Sequence, residues 1–149
     1  MATEAGASAP NWELSLTISG EALRFDDISD ALGLLSTDTR VKGELLNRLP
    51  PVVSQEDCWC YEVQLADNEG LDPRMQALLA ALEKAAPALA QLRLRHEVTL
   101  RLSVQSDYAQ IFYRLMPDTL ARLARIGLPL EVSVVSWGAL SFQAGGEEG

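Results

Sequence analysis

Apolar and polar residues alternate without a break over residues 12–19, WELSLTIS. Trp12, Leu14, Leu16 and Ile18 fall on one parity and Glu13, Ser15, Thr17 and Ser19 on the other. That two-residue period predicts a strand with one buried face, ended by Gly20. The period then lengthens. In FDDISDALGLL, Phe25, Ile28, Ala31 and Leu32 recur at helical spacing, Asp26 and Asp27 complement the positive end of the helix dipole, and Gly33 supplies the stop. Gly43, Pro50 and Pro51 interrupt the stretch that follows, which predicts only a short edge strand at Arg40 to Lys42 and then a loop.

Alternation returns in EDCWCYEVQL, residues 56–65, with Trp59, Tyr61, Val63 and Leu65 inward and Cys58, Cys60, Glu62 and Gln64 outward. Asp72 is then expected to cap a helix whose first residue is Pro73 and whose buried face carries Met75, Leu78, Leu79 and Leu82. Pro87 breaks it, leaving a second short helix that runs to around Leu92. In EVTLRLSVQ, Val98, Leu100, Leu102 and Val104 point inward while Thr99, Arg101, Ser103 and Gln105 point outward, and IFYRL, residues 111–115, could pair with this strand as a hairpin. Pro117 opens a last helix with Leu120, Leu123 and Ile126 on one face. Gly127 closes it before LPLEVSVVSW returns as a strand.

The order is β-α-β-β-α-β with room for a further β-α-β. Strands with one apolar face, interleaved with one-sided helices, predict an α+β fold: a two-layer sandwich with a mainly antiparallel sheet and helices on one face, ferredoxin-like with extensions. Residues 12–138 form the expected single domain, with small, polar or glycine-rich tails at 1–11 and 139–149. No repeat at a solenoid period is present.

Composition narrows the class without naming a function. Apolar residues make up 48% and charged residues 22% of 149, near globular averages, so a chain of this length can bury a core without staples. The longest apolar-rich stretch, residues 75–92, carries Glu83, Lys84 and Pro87, and the first residues lack a basic start and an apolar run. Neither a membrane span nor a leader is expected, and the reading is a cytoplasmic protein. The net charge of −9 divides into −10 over residues 1–72 and +1 over 73–149, which argues against nucleic acid as a partner. Six arginines between Arg93 and Arg125 are the local exception; Arg93, Arg95, Arg122 and Arg125 stand at predicted helix C-termini, where cations complement the dipole.

Four short motifs run along the chain: Trp12 through ISG at Ile18 to Gly20, LGL at Leu32 to Leu34, Lys42-Gly43, and LARLARIGLPL at Leu120 to Leu130. In position and spacing they resemble a bacterial family known only as a domain of unknown function, some members of which are suspected immunity proteins of toxin systems. Arg24 and Met116 depart from it, standing where that resemblance implies Asp and Ser as helix caps. What the resemblance implies is a fold more than an activity.

The residues that could carry chemistry are few. Cys58 and Cys60 share one face of a strand with Cα atoms roughly 6.6 Å apart, so both thiolates could reach one metal. Two ligands do not make a zinc site, and His96 is the only histidine, so no metal and no cofactor is expected. A disulfide between them would be strained. They are expected to be free, outward and open to thiol reagents. His96 stands alone at a helix-to-strand boundary with no nucleophile elbow elsewhere, and no phosphate-binding glycine loop is present, so no catalytic residue is assigned. Trp12 and Trp59 lie in the apolar register and are expected in the core, whereas Trp137 falls on the other parity.

Two classes of function remain. The favoured one is a non-enzymatic protein-binding module, with an immunity-type protein as its narrower form. It would dock a protein partner through Asp26, Asp27, Asp30 and Glu62, or through an outer sheet face that carries Arg101 and Trp137. The alternative is a small enzyme or anion-binding domain built from Arg101, His96 and Glu62, or from Arg40 and Lys42. Oligomeric state is open, a homodimer included.

Overall fold

The computed structural model describes residues 11–46, 50–107 and 110–136. Trp137 and the expected tails, apart from Asn11, lie outside the described residues. The main sheet has five strands. β1 (Asn11–Gly20) lies at its centre, with β5 (Asp57–Leu65) antiparallel on one side and β6 (Glu97–Ser106) antiparallel on the other. β2 (Asp38–Arg40) borders β5 antiparallel and β7 (Leu130–Ser136) borders β6 in parallel, giving the order β2-β5-β1-β6-β7. β3 (Leu45–Leu46) and β4 (Val52–Val53) form a separate small hairpin.

Register explains the core. Leu14 lies opposite Val63 and Leu102, and Leu16 opposite Tyr61 and Leu100, so three neighbouring strands present their apolar rows to the same side. Four helices cover that side: α1 (Phe25–Leu32), α2 (Leu71–Lys84), α3 (Ala86–Arg95) and α4 (Pro117–Ile126). Ile28 and Leu32 of α1, Met75, Leu79 and Leu82 of α2, and Leu89 of α3 are buried in one cluster with Leu14, Leu16, Ile18, Trp59 and Leu100. Each such side chain contributes about 1.5–3 kcal/mol by leaving water. The Trp59 indole N–H donates to the Ser29 hydroxyl at 3.0 Å, which fixes α1 over β5 while satisfying the one polar atom of that ring. The outcome is an α+β sandwich with its helices on one face, as the alternation implies.

Local expectations shift in several places. The edge strand is Asp38–Arg40, two residues before the expected Arg40 to Lys42, because Gly43 turns the chain at φ 93° and the Lys42 N–H is taken by the Asp57 carboxylate at 2.8 Å. The loop after it contains the β3–β4 hairpin. Asp72 does not cap α2. A 3-10 turn at Asn68–Gly70, capped by Asp67 through the Glu69 and Gly70 N–H groups, leads into the helix at Leu71, whose fully buried side chain draws its start earlier. Pro87 does mark a break, and α3 runs past Leu92 to Arg95.

The segment around 111–115 is not a strand, since both edges of β6 are already occupied by β1 and β7. It runs over the core instead, with Tyr113 edge-on to Trp12 at 6.1 Å between ring centroids. Both α1 and α4 start where Arg24 and Met116 stand, without side-chain caps of their own. For α4 the Asp72 carboxylate substitutes, accepting from the Met116 N–H at 2.8 Å and from the Thr119 hydroxyl at 2.7 Å. Thr119 is therefore the buried residue of α4, and Leu120, expected inward, is 49% exposed. Ala31 of α1 is likewise exposed. β7 is parallel rather than antiparallel to its neighbour because a whole helix intervenes between β6 and β7.

Candidate functional site

The side of the main sheet turned away from the four helices carries Ser15 at its middle, flanked across β5 by Glu62 and across β6 by Arg101. Ser15 and Thr99 are nearly buried, short side chains set between longer ones, while Arg101, Gln64 and Glu131 are exposed around them. This is a broad face, shaded at the centre and wet at the rim.

Its charges are unbalanced. The outward positions of the five strands hold Glu13, Asp38, Glu62, Glu97 and Glu131 against Arg40 and Arg101. Both guanidiniums are engaged: Arg101 grips Glu131 through Nη2 at 2.7 Å and Nε at 3.2 Å, and Arg40 meets Asp38 at 3.2 Å. Glu13, Glu62 and Glu97 have no cationic partner among the described residues. Burial, and next the like charge of Glu62, push the Glu13 carboxyl above the usual range, with a hydrogen bond from Gln64 at 2.6 Å pulling partly back.

The two cysteines lie on this face, free and half-buried. Burial pushes the Cys60 thiol up to about 12, reinforced by the neighbouring Glu62 carboxylate to which it donates at 3.5 Å. Burial raises Cys58 as well, with Arg40 opposing. Both thiols are free and outward, as their parity implies, and burial lowers the share of the reactive thiolate at both positions. Among the described residues no three His, Cys, Asp or Glu side chains assemble into a metal-ligand set.

The expected acidic cluster divides. Asp26, Asp27 and Asp30 sit on exposed turns of α1, on the helix side, whereas Glu62 belongs to the opposite face of the sheet. Asp27 is paired with Arg24 at 2.8 Å, so its charge is locally matched. Arg101, His96 and Glu62 do not converge either, because His96 follows α3 on the helix side while the other two point outward. Arg40 and Lys42 are separately paired, Lys42 with Glu21 at 3.5 Å. Of the arginine cluster, Arg93 donates to the Ile126 and Gly127 carbonyls at 3.1 and 2.7 Å and so caps α4, as the dipole argument implies in kind though on a different helix. Arg122 reaches Glu83 at 3.7 Å.

Between α1 and α3 lies a cleft of about 540 Å³. Ile28, Ala31, Ala88 and Leu92 give it apolar walls, and Gln91, Arg95 and His96 give it polar ones. The imidazole of His96 packs closely against the Gly20 backbone: a Cβ there would stand 2.6 Å from Nδ1. Nδ1 is buried and has no hydrogen-bond partner among the described residues. At the rim, Ala22 holds a left-handed backbone at φ 54°, a conformation that costs a residue with a side chain on the order of 1 kcal/mol.

Two organising residues were not legible. The Asp57 carboxylate joins the loop after β1 to the turn after β2, accepting from the Leu23 N–H at 3.0 Å and the Lys42 N–H at 2.8 Å. Asp72, Gln76 and Thr119 form a network between α2 and α4, with Gln76 donating to Thr119 at 2.9 Å. In the sequence Asp57 is one of two adjacent acids, and Asp72 has the pattern of a cap for its own helix. Apart from Gln76, which donates to Asp72 from four residues on, their partners lie 15 or more positions away.

The family described as Domain of unknown function (DUF4279) matches residues 10–137. No curated protein and no solved structure matches the chain. No helix among the described residues is long and apolar enough to cross a membrane.

Proposed function

The chain belongs to this family of uncharacterised domains, and we propose that it is a protein-binding module that docks a cationic protein surface on the uncovered face of its sheet. The carrying observation is the charge count of that face: five carboxylates against two guanidiniums, each guanidinium already held by a neighbouring acid. Unpaired acids on a flat face attract a basic partner over a distance and reject acidic ones, which sets association rate and specificity more than bulk affinity. An immunity-type role in a bacterial cytoplasm, masking a basic toxin surface, is the narrower form of this reading. The strand order β2-β5-β1-β6, with β7 added beside β6, supports a ferredoxin-like core with an extension as the scaffold.

The test uses isotope-labelled protein and an oligo-lysine peptide as a cationic probe, followed by amide chemical-shift mapping. Shifts are expected along β1, β5 and β6 and should vanish near 1 M salt, where the screening length is about 3 Å. Glu62→Lys should weaken binding more than Asp30→Lys. Shifts centred on α1, or equal losses from the two reversals, would overturn the assignment of the face.

A further inference from the structure

The cleft between α1 and α3 is separate from the sheet face and has a chemistry of its own. Its two carboxylates are already matched, Glu21 by Lys42 at 3.5 Å and Asp27 by Arg24 at 2.8 Å. Arg95, in contrast, has no ion-pair partner among the described residues and stands at the wall. His96 adds a donor. Nδ1 is buried against Gly20 without a hydrogen-bond partner among the described residues, which leaves Nε2 as the ring nitrogen able to meet a ligand. Glu97, next in sequence, follows the outward parity of β6 and leaves this side of the sheet. The Gln91 amide supplies a further donor. Donors thus gather over an apolar lining of Ile28 and Leu92.

We propose that this cleft binds a small anionic amphiphile, its acidic head held by Arg95 and the His96 Nε2–H and its apolar body lying on Ile28 and Leu92. A volume of about 540 Å³ suits such a molecule, since small-ligand sites span roughly 300–1,000 Å³ and combine apolar walls with a few convergent polar groups. The planar guanidinium fork fits a carboxylate or a phosphate head through paired N–H donors. Gly20 is part of the device, because any side chain there would displace the imidazole.

Octanoate, octyl phosphate, octanamide and octylamine, titrated into the full chain and followed by calorimetry and by the His96 ring nitrogen resonances, test this directly. Either anion should bind more tightly than the amide and the amine, and binding should move the Nε2 signal. Arg95→Gln, at an exposed position that leaves the fold intact, should weaken the anion roughly tenfold, the loss expected for one charge-assisted hydrogen bond. His96→Phe should weaken it too. Equal binding of all four probes, no binding of any, or full affinity in both variants would overturn the proposal. Because none of these residues lies on the outer sheet face, failure here leaves the docking reading untouched, and the reverse holds.

Discussion

If the sheet is covered on one side alone, adjacent residues of β6 should differ sharply in what their truncation costs. Leu100 is fully buried, opposite Leu16 on β1 and Leu130 on β7, beneath the helices. Leu100→Ala removes three carbons, about 2.4 kcal/mol at 0.8 kcal/mol per buried methylene, and the cavity left among side chains that cannot all collapse raises this to about 3–4 kcal/mol. Thr99 is 9% exposed, so burial alone would suggest a comparable penalty. Its neighbours, however, are Thr17 across the strand pair and, two residues either side on the same face, the exposed Glu97 and Arg101, so the site borders solvent and a lost methyl leaves no closed cavity. Thr99→Ala should therefore cost about 1 kcal/mol or less, the range of a single cross-strand pair. Urea unfolding of the two variants, with midpoints compared at an unchanged m-value, measures the difference. Similar losses at both positions would mean that a second layer packs on the outer face, and the docking proposal would lose its surface.

Thr119→Val keeps shape but deletes the hydroxyl that donates to Asp72 and accepts from Gln76, and should lower stability by about 1–3 kcal/mol in thermal or chemical unfolding; a neutral result would mean the network is incidental. Both cysteines should react slowly with a thiol reagent near neutral pH in the folded chain and quickly once it is unfolded. The Cys60 thiol is raised above its ordinary value of 9.0 in the fold, so the unfolded chain releases that proton first as pH climbs. Its contribution is intact below about 9 and is lost progressively toward about 12. Cys60→Ser should flatten the stability profile over that window, and an unchanged slope would argue against the raised thiol.

Strands were the most readable part of the molecule because one-sided burial imprints a period of two. Trp12, Leu14, Leu16 and Ile18, like Val98, Leu100, Leu102 and Val104, occupy the expected inward positions. Helix faces were read less well where a polar group decides them: Thr119 is buried because Asp72 and Gln76 receive it, and a hydrophobic-spacing argument favours Leu120 instead. The alternation in IFYRL records contact with the core surface, visible in Tyr113 against Trp12, and alternation alone does not distinguish that from strand pairing. Site residues were legible as types and not as neighbours. Glu62 and the α1 aspartates share a charge in the sequence, yet the sheet stands between them, while the proximity of Gly20 to His96 arises from a pairing register that brings Ser19 opposite Glu97.

The central place of β1 also governs how the chain must reach this structure. Trp12 pairs with Leu65 on one side and with Val104 on the other, so the strand made first acquires its second neighbour only after most of the domain has been synthesised. Pairings of such long sequence separation slow folding, because a large loop must close before any contact compensates. Until then one hydrogen-bonding edge of the row Trp12, Leu14, Leu16 and Ile18 stays open, and an open edge is where a nascent chain associates with other chains. The helices between β1 and β6 form from local contacts, whereas the pairing of β1 with β6 joins residues more than 70 positions apart and closes around all of them.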